Sequence, residues 1–151
     1  MSESLVIEAV RKTITVDCVV EEAFRIFTAD AMSWWPVDSH SIHGSAVQEI
    51  VFEGQEGGEV YELGADGEKG HWATVVTWDP PSRLVLAWNV REREAVPTEV
   101  DVRFIADGVQ TRVELEHRGW EAVAEEAEAK RDSYDTGWDH VLGVYERRLE
   151  T

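Results

Sequence analysis

The stretch Thr98–Glu116, TEVDVRFIADGVQTRVELE, decides the fold. Val100, Val102 and Phe104 alternate with Glu99, Asp101 and Arg103. That period of two puts successive side chains on opposite faces of a strand. Asp107-Gly108 follows, a pair that tolerates the positive φ of a tight hairpin turn. Val109, Thr111, Val113 and Leu115 then alternate with Gln110, Arg112, Glu114 and Glu116. The two halves predict antiparallel strands, Thr98–Ile105 and Val109–Glu116, with one buried face.

The same chemistry recurs toward the N-terminus. Val47–Glu53 runs into Gly57-Gly58, Val60–Leu63 into Asp66-Gly67, and Trp72–Trp78 into Asp79-Pro80-Pro81. Leu84, Leu86, Trp88 and Val90 share one face of a further strand, and an opening strand spans Ile7–Val16, which makes seven strands joined mostly by short hairpins. Two segments carry a helical period instead. Val20–Thr28 places Ala23, Phe24 and Phe27 on one face, with Glu21 and Glu22 in the first turn, where the helix dipole favours anions. A long terminal helix, Glu121–Leu149, carries Tyr134, Trp138, Val141, Leu142, Tyr145 and Leu149 at spacings of three and four. Its first part, Glu121–Asp132, is charged and Ala-rich and has little to bury. A one-sided antiparallel sheet followed by one amphipathic helix buries both apolar surfaces when the sheet curls around the helix. An α+β fold in a single domain over residues 1–151 is therefore expected, since no repeat or linker divides the chain.

Charge narrows the function. Against 14 Lys and Arg stand 31 Asp and Glu, a formal net charge of −17. A phosphate backbone would be repelled, so no nucleic-acid partner is expected. No apolar run approaches the ~20 residues of a membrane span. The lone Cys18 excludes an internal disulfide and a cysteine zinc cage, which points to the reducing cytoplasm. Between Ile26 and Glu68 there is no Lys or Arg, but nine acidic residues: Asp30, Asp38, Glu49, Glu53, Glu56, Glu59, Glu62, Asp66 and Glu68. They read as a solvated face, or as a surface that steers a basic partner.

Several motifs resemble one family. Thr74–Trp88 (TVVTWDPPSRLVLAW), Leu115–Trp120 (LEHRGW), Thr136–Leu149 (TGWDHVLGVYERRL) and Trp34-Trp35-Pro36 are similar to passages of proteins related to the activator of the Hsp90 chaperone's ATPase. These belong to the START-like, helix-grip superfamily, which also contains the polyketide cyclases. The resemblance spans about Ala9–Leu149. One departure is Val19-Val20, which stands where such proteins commonly open their first helix with Ser-Pro. The resemblance implies a seven-stranded antiparallel sheet gripping the terminal helix, two short helices after the first strand, and a cavity between helix and sheet.

That cavity suggests the site. Trp34, Trp35, His40, Trp72, Trp88, His117, Tyr134 and Trp138 are the candidate ligand-binding residues. Trp88 faces inward by alternation, Tyr134 and Trp138 lie on the helix stripe, and Trp34 or Trp35 falls near the mouth. His117 continues the inward phase of Val113 and Leu115; it can face a ligand or simply satisfy a backbone carbonyl. Gly137 and Gly143 interrupt the helix, and Gly137, beside Trp138, marks a place for close approach. Asp38, His40 and His43 share a loop, but a zinc site needs another protein ligand, so neither a metal nor a cofactor is expected. Ser39, Ser41 and Ser45 carry no nucleophile-elbow pattern. The expected partner is a small apolar or amphipathic molecule. The alternatives are docking on a chaperone or another basic protein, and a cyclase or hydrolase working in the same cavity through His117, Asp38 or His40.

Overall fold

Gly108 sits at φ 65°, the left-handed conformation its turn requires, and the hairpin around it runs Thr98–Asp107 and Gln110–Arg118. A computed structural model of the chain describes residues 7–91, 95–123 and 127–150. The strands are β1 (Val10–Val16), β2 (Glu49–Phe52), β3 (Glu59–Leu63), β4 (Lys69–Asp79), β5 (Arg83–Trp88), β6 (Thr98–Asp107) and β7 (Gln110–Arg118). They form one antiparallel sheet in the order β1-β7-β6-β5-β4-β3-β2. Consecutive hairpins build β2 through β7, and β1 closes on β7 with Val10 opposite His117 and Val16 opposite Thr111. Between β1 and β2 lie helix α1 (Val20–Thr28) and two single turns of 3-10 helix, Ala31–Ser33 and Gly44–Ala46. Helix α2 (Ala127–Arg148) fills the grip of the curled sheet. No helix among the described residues is long and apolar enough to cross a membrane.

The alternation sorts chemistry between the two faces. Val100, Val102, Phe104, Val113 and Leu115 are buried against the helices. On the convex face Asp101 is only 3% exposed, because Arg83 donates to it at 2.8 and 3.1 Å and Arg118 at 3.1 Å. These donors hold the Asp101 carboxyl below its usual range despite burial, which alone would raise it.

Several expected boundaries move: β4 begins at Lys69 rather than Trp72, and β2 is the shorter Glu49–Phe52 within the expected Val47–Glu53. The opening strand begins at Val10 rather than Ile7, and Ile7, buried, donates its N–H to Glu121 at 3.0 Å. The terminal helix does not start at Glu121: Trp120–Val123 is a 3-10 turn, residues 124–126 of the expected helix lie outside the described residues, and α2 is described over Ala127–Arg148. Gly119 at φ 87° turns the chain, and Trp120 is buried with its indole N–H on the His117 carbonyl at 2.9 Å. Anchoring Trp120 there outweighs the helix propensity of the residues that follow.

Along α2, Trp138, Val141, Leu142 and Tyr145 are buried, as is Leu149 just past its end; Tyr134 is half-buried, and Asp139 and Arg147 are exposed. Tyr145 donates its hydroxyl to the Ala23 carbonyl at 2.6 Å and meets Phe27 edge-on, tying α2 to α1. Leu142, 2% exposed, packs in this part of the core. Leu142→Ala should therefore destabilise the protein by about 2–5 kcal/mol, read as a shift of the urea midpoint at unchanged slope.

Candidate functional site

Trp72 points inward from β4 and Trp88 from β5, while Tyr134, Trp138 and Val141 come from successive turns of α2. The chain leaving α1 adds Trp35 and the loop residues Ser39, His40, Ser41 and Ile42, and Val90, Arg91 and Gly137 complete the lining. Together they line a cavity of about 220 Å³ that is open to solvent at one side.

Seven indole N–H groups need acceptors, and the acceptors explain the geometry. Trp35 donates to the His40 carbonyl at 2.7 Å, Trp72 to Glu62 Oε1 at 2.6 Å, Trp88 to the Tyr134 hydroxyl at 3.0 Å and Trp138 to His117 Nδ1 at 3.0 Å. Each of these lining indoles has spent its N–H on a protein acceptor, so what it offers the cavity is carbon surface and π-electron density. Trp34 donates instead to the Ile26 carbonyl at 2.8 Å and packs on Phe27 and Tyr145, behind the cavity rather than on it. Trp78 is half-buried, edge-on to Phe24.

His117 also stands behind the wall. It is fully buried, and an indole can only donate, so Nδ1 is the acceptor and Nε2 carries the proton. Nε2 then donates to Thr98 Oγ1 at 2.7 Å, and that hydroxyl donates to the Trp88 carbonyl at 3.3 Å. Burial drives the His117 pKa down to about 3. With both nitrogens engaged, His117 braces Trp138; of the two expected roles it takes the structural one, with side chains rather than a backbone carbonyl as partners.

His40 is the imidazole that reaches the cavity. Its Nδ1 lies 2.7 Å from Ser39 Oγ, and its ring stacks on His140 with centroids 4.9 Å apart. Burial first, and then the neighbouring His140, lower its pKa against the pull of Asp38. A ring whose protonation is disfavoured here can share a hydrogen bond with a bound ligand rather than take its proton. A Cβ placed at Gly137 would lie 3.8 Å from the His40 ring, so the loop rests on the helix where it carries no side chain. Of the expected residues, Trp35, His40, Trp72, Trp88, Tyr134 and Trp138 thus meet around one cavity, whereas Trp34 and His117 support it. Asp38 is exposed, and His40 and His43 diverge. Among the described residues no group of three or more His, Cys, Asp or Glu side chains is placed to hold a metal.

Glu62 escapes a reading of the sequence as an acidic surface. Its carboxylate is fully buried and accepts the backbone N–H groups of Ile42 and His43 at 2.8 and 2.7 Å, His43 Nδ1 at 2.7 Å and Trp72 Nε1 at 2.6 Å. Burial would raise its pKa, but the four donors together hold it below the ordinary glutamate value. One side chain thus ties the mouth loop and Trp72 to β3. Gly70 leaves the space, because a Cβ there would come within 2.9 Å of Ile42 and 3.1 Å of Glu62. Glu59 is internal too, 6% exposed, between Lys69 at 2.7 Å and His71 at 2.8 Å. The nine acidic residues therefore do not form one surface. The available signal was phase: Glu62 stands two residues from Val60, on the face that β3 buries.

Solved structures with this fold include CalC from Micromonospora echinospora, a self-sacrificing resistance protein. It is 27% identical over 93% of each chain, with a TM-score of 0.71. The anthrahydroquino-gamma-pyrone synthase Txn09, solved in complex with SUM, is 30% identical over 85% of this chain and 88% of its own, with a TM-score of 0.59. The Aha1 dimer from Colwellia psychrerythraea shares the fold at 16% identity, covering 95% of this chain and 97% of its own, with a TM-score of 0.66. No curated protein matches the chain. The family model described as "Activator of Hsp90 ATPase homolog 1-like protein" matches residues 17–150, and the chain belongs to that family.

Proposed function

We propose that this protein binds a small, largely apolar ligand in the cavity between α2 and the sheet. The observation that carries the reading is the wall itself: four tryptophans and a tyrosine border unfilled volume, with every one of those indole N–H groups already bonded to protein. Filled cores leave few voids larger than a water molecule. An apolar cavity of about 150 Å³ already accepts benzene, so about 220 Å³ suits a fused two-ring body, with any longer part leaving past Ser39 and His40. The Tyr134 hydroxyl, which accepts from Trp88, keeps a proton to donate and can orient a ligand carbonyl. The named activity of the Txn09 relative supports an aromatic ligand.

Two helix glycines test the location. Gly137 lines the cavity and Gly143 does not, and a Cβ at Gly143 would meet only the Arg147 side chain at 3.5 Å. Gly137→Ala and Gly143→Ala should each stabilise α2 by about 0.8–1 kcal/mol. In a calorimetric titration with a fused-ring aromatic that binds the wild type, only Gly137→Ala should weaken binding, because only that methyl group enters the lining. Equal affinity in both variants would place the ligand elsewhere.

A further inference from the structure

The buried charge of Glu62 has no Lys or Arg beside it among the described residues. Its four donors are two backbone N–H groups, the Trp72 indole and His43 Nδ1. His43 Nδ1 donates the last of these bonds to the carboxylate. A carboxylate is therefore held one indole behind the cavity wall, in surroundings of low dielectric where its field reaches further than in water. The hydrogen bond from Trp72 to that carboxylate also pushes electron density into the ring that lines the cavity. The remaining aromatic walls present faces that attract cations. The chain's net charge of −17 adds a field of the same sign outside. The opposing group is Arg91, exposed at the lip and the one Lys or Arg lining the cavity among the described residues.

We infer that the cavity selects, among aromatic molecules of its size, those that carry an ammonium group. This rests on the apolar-ligand reading and adds the charge of the ligand to it. The probes are naphthylmethylamine, protonated at neutral pH, with naphthylmethanol and naphthoate as its neutral and anionic counterparts, titrated calorimetrically into the wild-type protein. The amine should bind about tenfold tighter than the alcohol, with naphthoate weakest, a margin within the range of desolvated cation–π contacts. The margin should persist at high salt, which screens the exterior field but not a buried carboxylate. Glu62→Gln should bring the amine-to-alcohol affinity ratio toward one; a general loosening of the mouth loop would weaken both ligands alike and leave that ratio unchanged. If the variant loses both ligands, the wild-type series decides alone. Equal affinity for the probes, or tightest binding of naphthoate, overturns the ammonium preference and leaves the apolar-ligand reading standing. Failure of all of them to bind overturns both.

Discussion

Replacing Glu62 with alanine should destabilise the protein by about 3–5 kcal/mol, the range for removing one side of a buried charged network. For a chain of this length that corresponds to a fall in Tm of roughly 6–20 °C. The cost comes less from the lost attraction than from what is left behind. The N–H groups of Ile42 and His43, the Trp72 indole and the His43 ring all point at one carboxylate. Unless water enters, each then becomes a buried donor without an acceptor. Glutamine should recover part of the loss, since it keeps one oxygen but turns an N–H₂ toward groups that are themselves donors. Thermal denaturation of the wild type, Glu62→Gln and Glu62→Ala should rank them in that order. If alanine costs under about 1 kcal/mol, the surface-mutation range, Glu62 does not organise the mouth loop. The folded carboxyl has a lowered pKa, so its contribution is complete above the unfolded glutamate value of about 4.3 and disappears as pH falls through the folded value.

Glu62 also shows where the sequence is legible and where it is not. The hairpin around Asp107-Gly108 and the stripe from Tyr134 to Leu149 are written in local periods, and the structure follows them. Periodicity reports which face a side chain takes; it says nothing of the partner that waits there. The inward phase of His117 is visible in Val113 and Leu115, yet its bonds to Thr98 and Trp138 join residues 19 and 21 positions away. Trp34 and Trp35 are adjacent in an irregular turn with no period to separate them, and only Trp35 reaches the cavity. Trp120 reads as the residue before a helix until its packing against His117 and Tyr134 breaks the helix start. Long-range pairing decided each of these outcomes.

Between about pH 7.5 and pH 5 the wild type should lose about 2 kcal/mol of stability through His117 alone, by proton linkage. The folded pKa of His117 is about 3, against 6.5 for the free side chain. Below pH 6.5 the unfolded chain takes up a proton that the folded one refuses, so the unfolded state gains. The contribution is thus fully present above 6.5 and is lost as pH falls toward about 3, the reverse of a histidine paired with a carboxylate. His117→Gln is the informative substitution. Its Oε1 can accept from Trp138 and its N–H₂ can donate to Thr98, which preserves both bonds without a titrating group. Unfolding free energies from urea titrations across this window should fall about 2 kcal/mol less in the glutamine variant than in the wild type. The comparison subtracts the other histidines, which both proteins share, and ends above the pH where carboxylates such as Glu62 titrate. Equal falls would mean that His117 is protonated in the folded protein. In that case Nδ1 could not accept from Trp138, and the brace behind the cavity wall would not exist as described. If the falls differ as expected, the neutral imidazole fixes Trp138, and the aromatic wall holds its shape only while that ring stays uncharged.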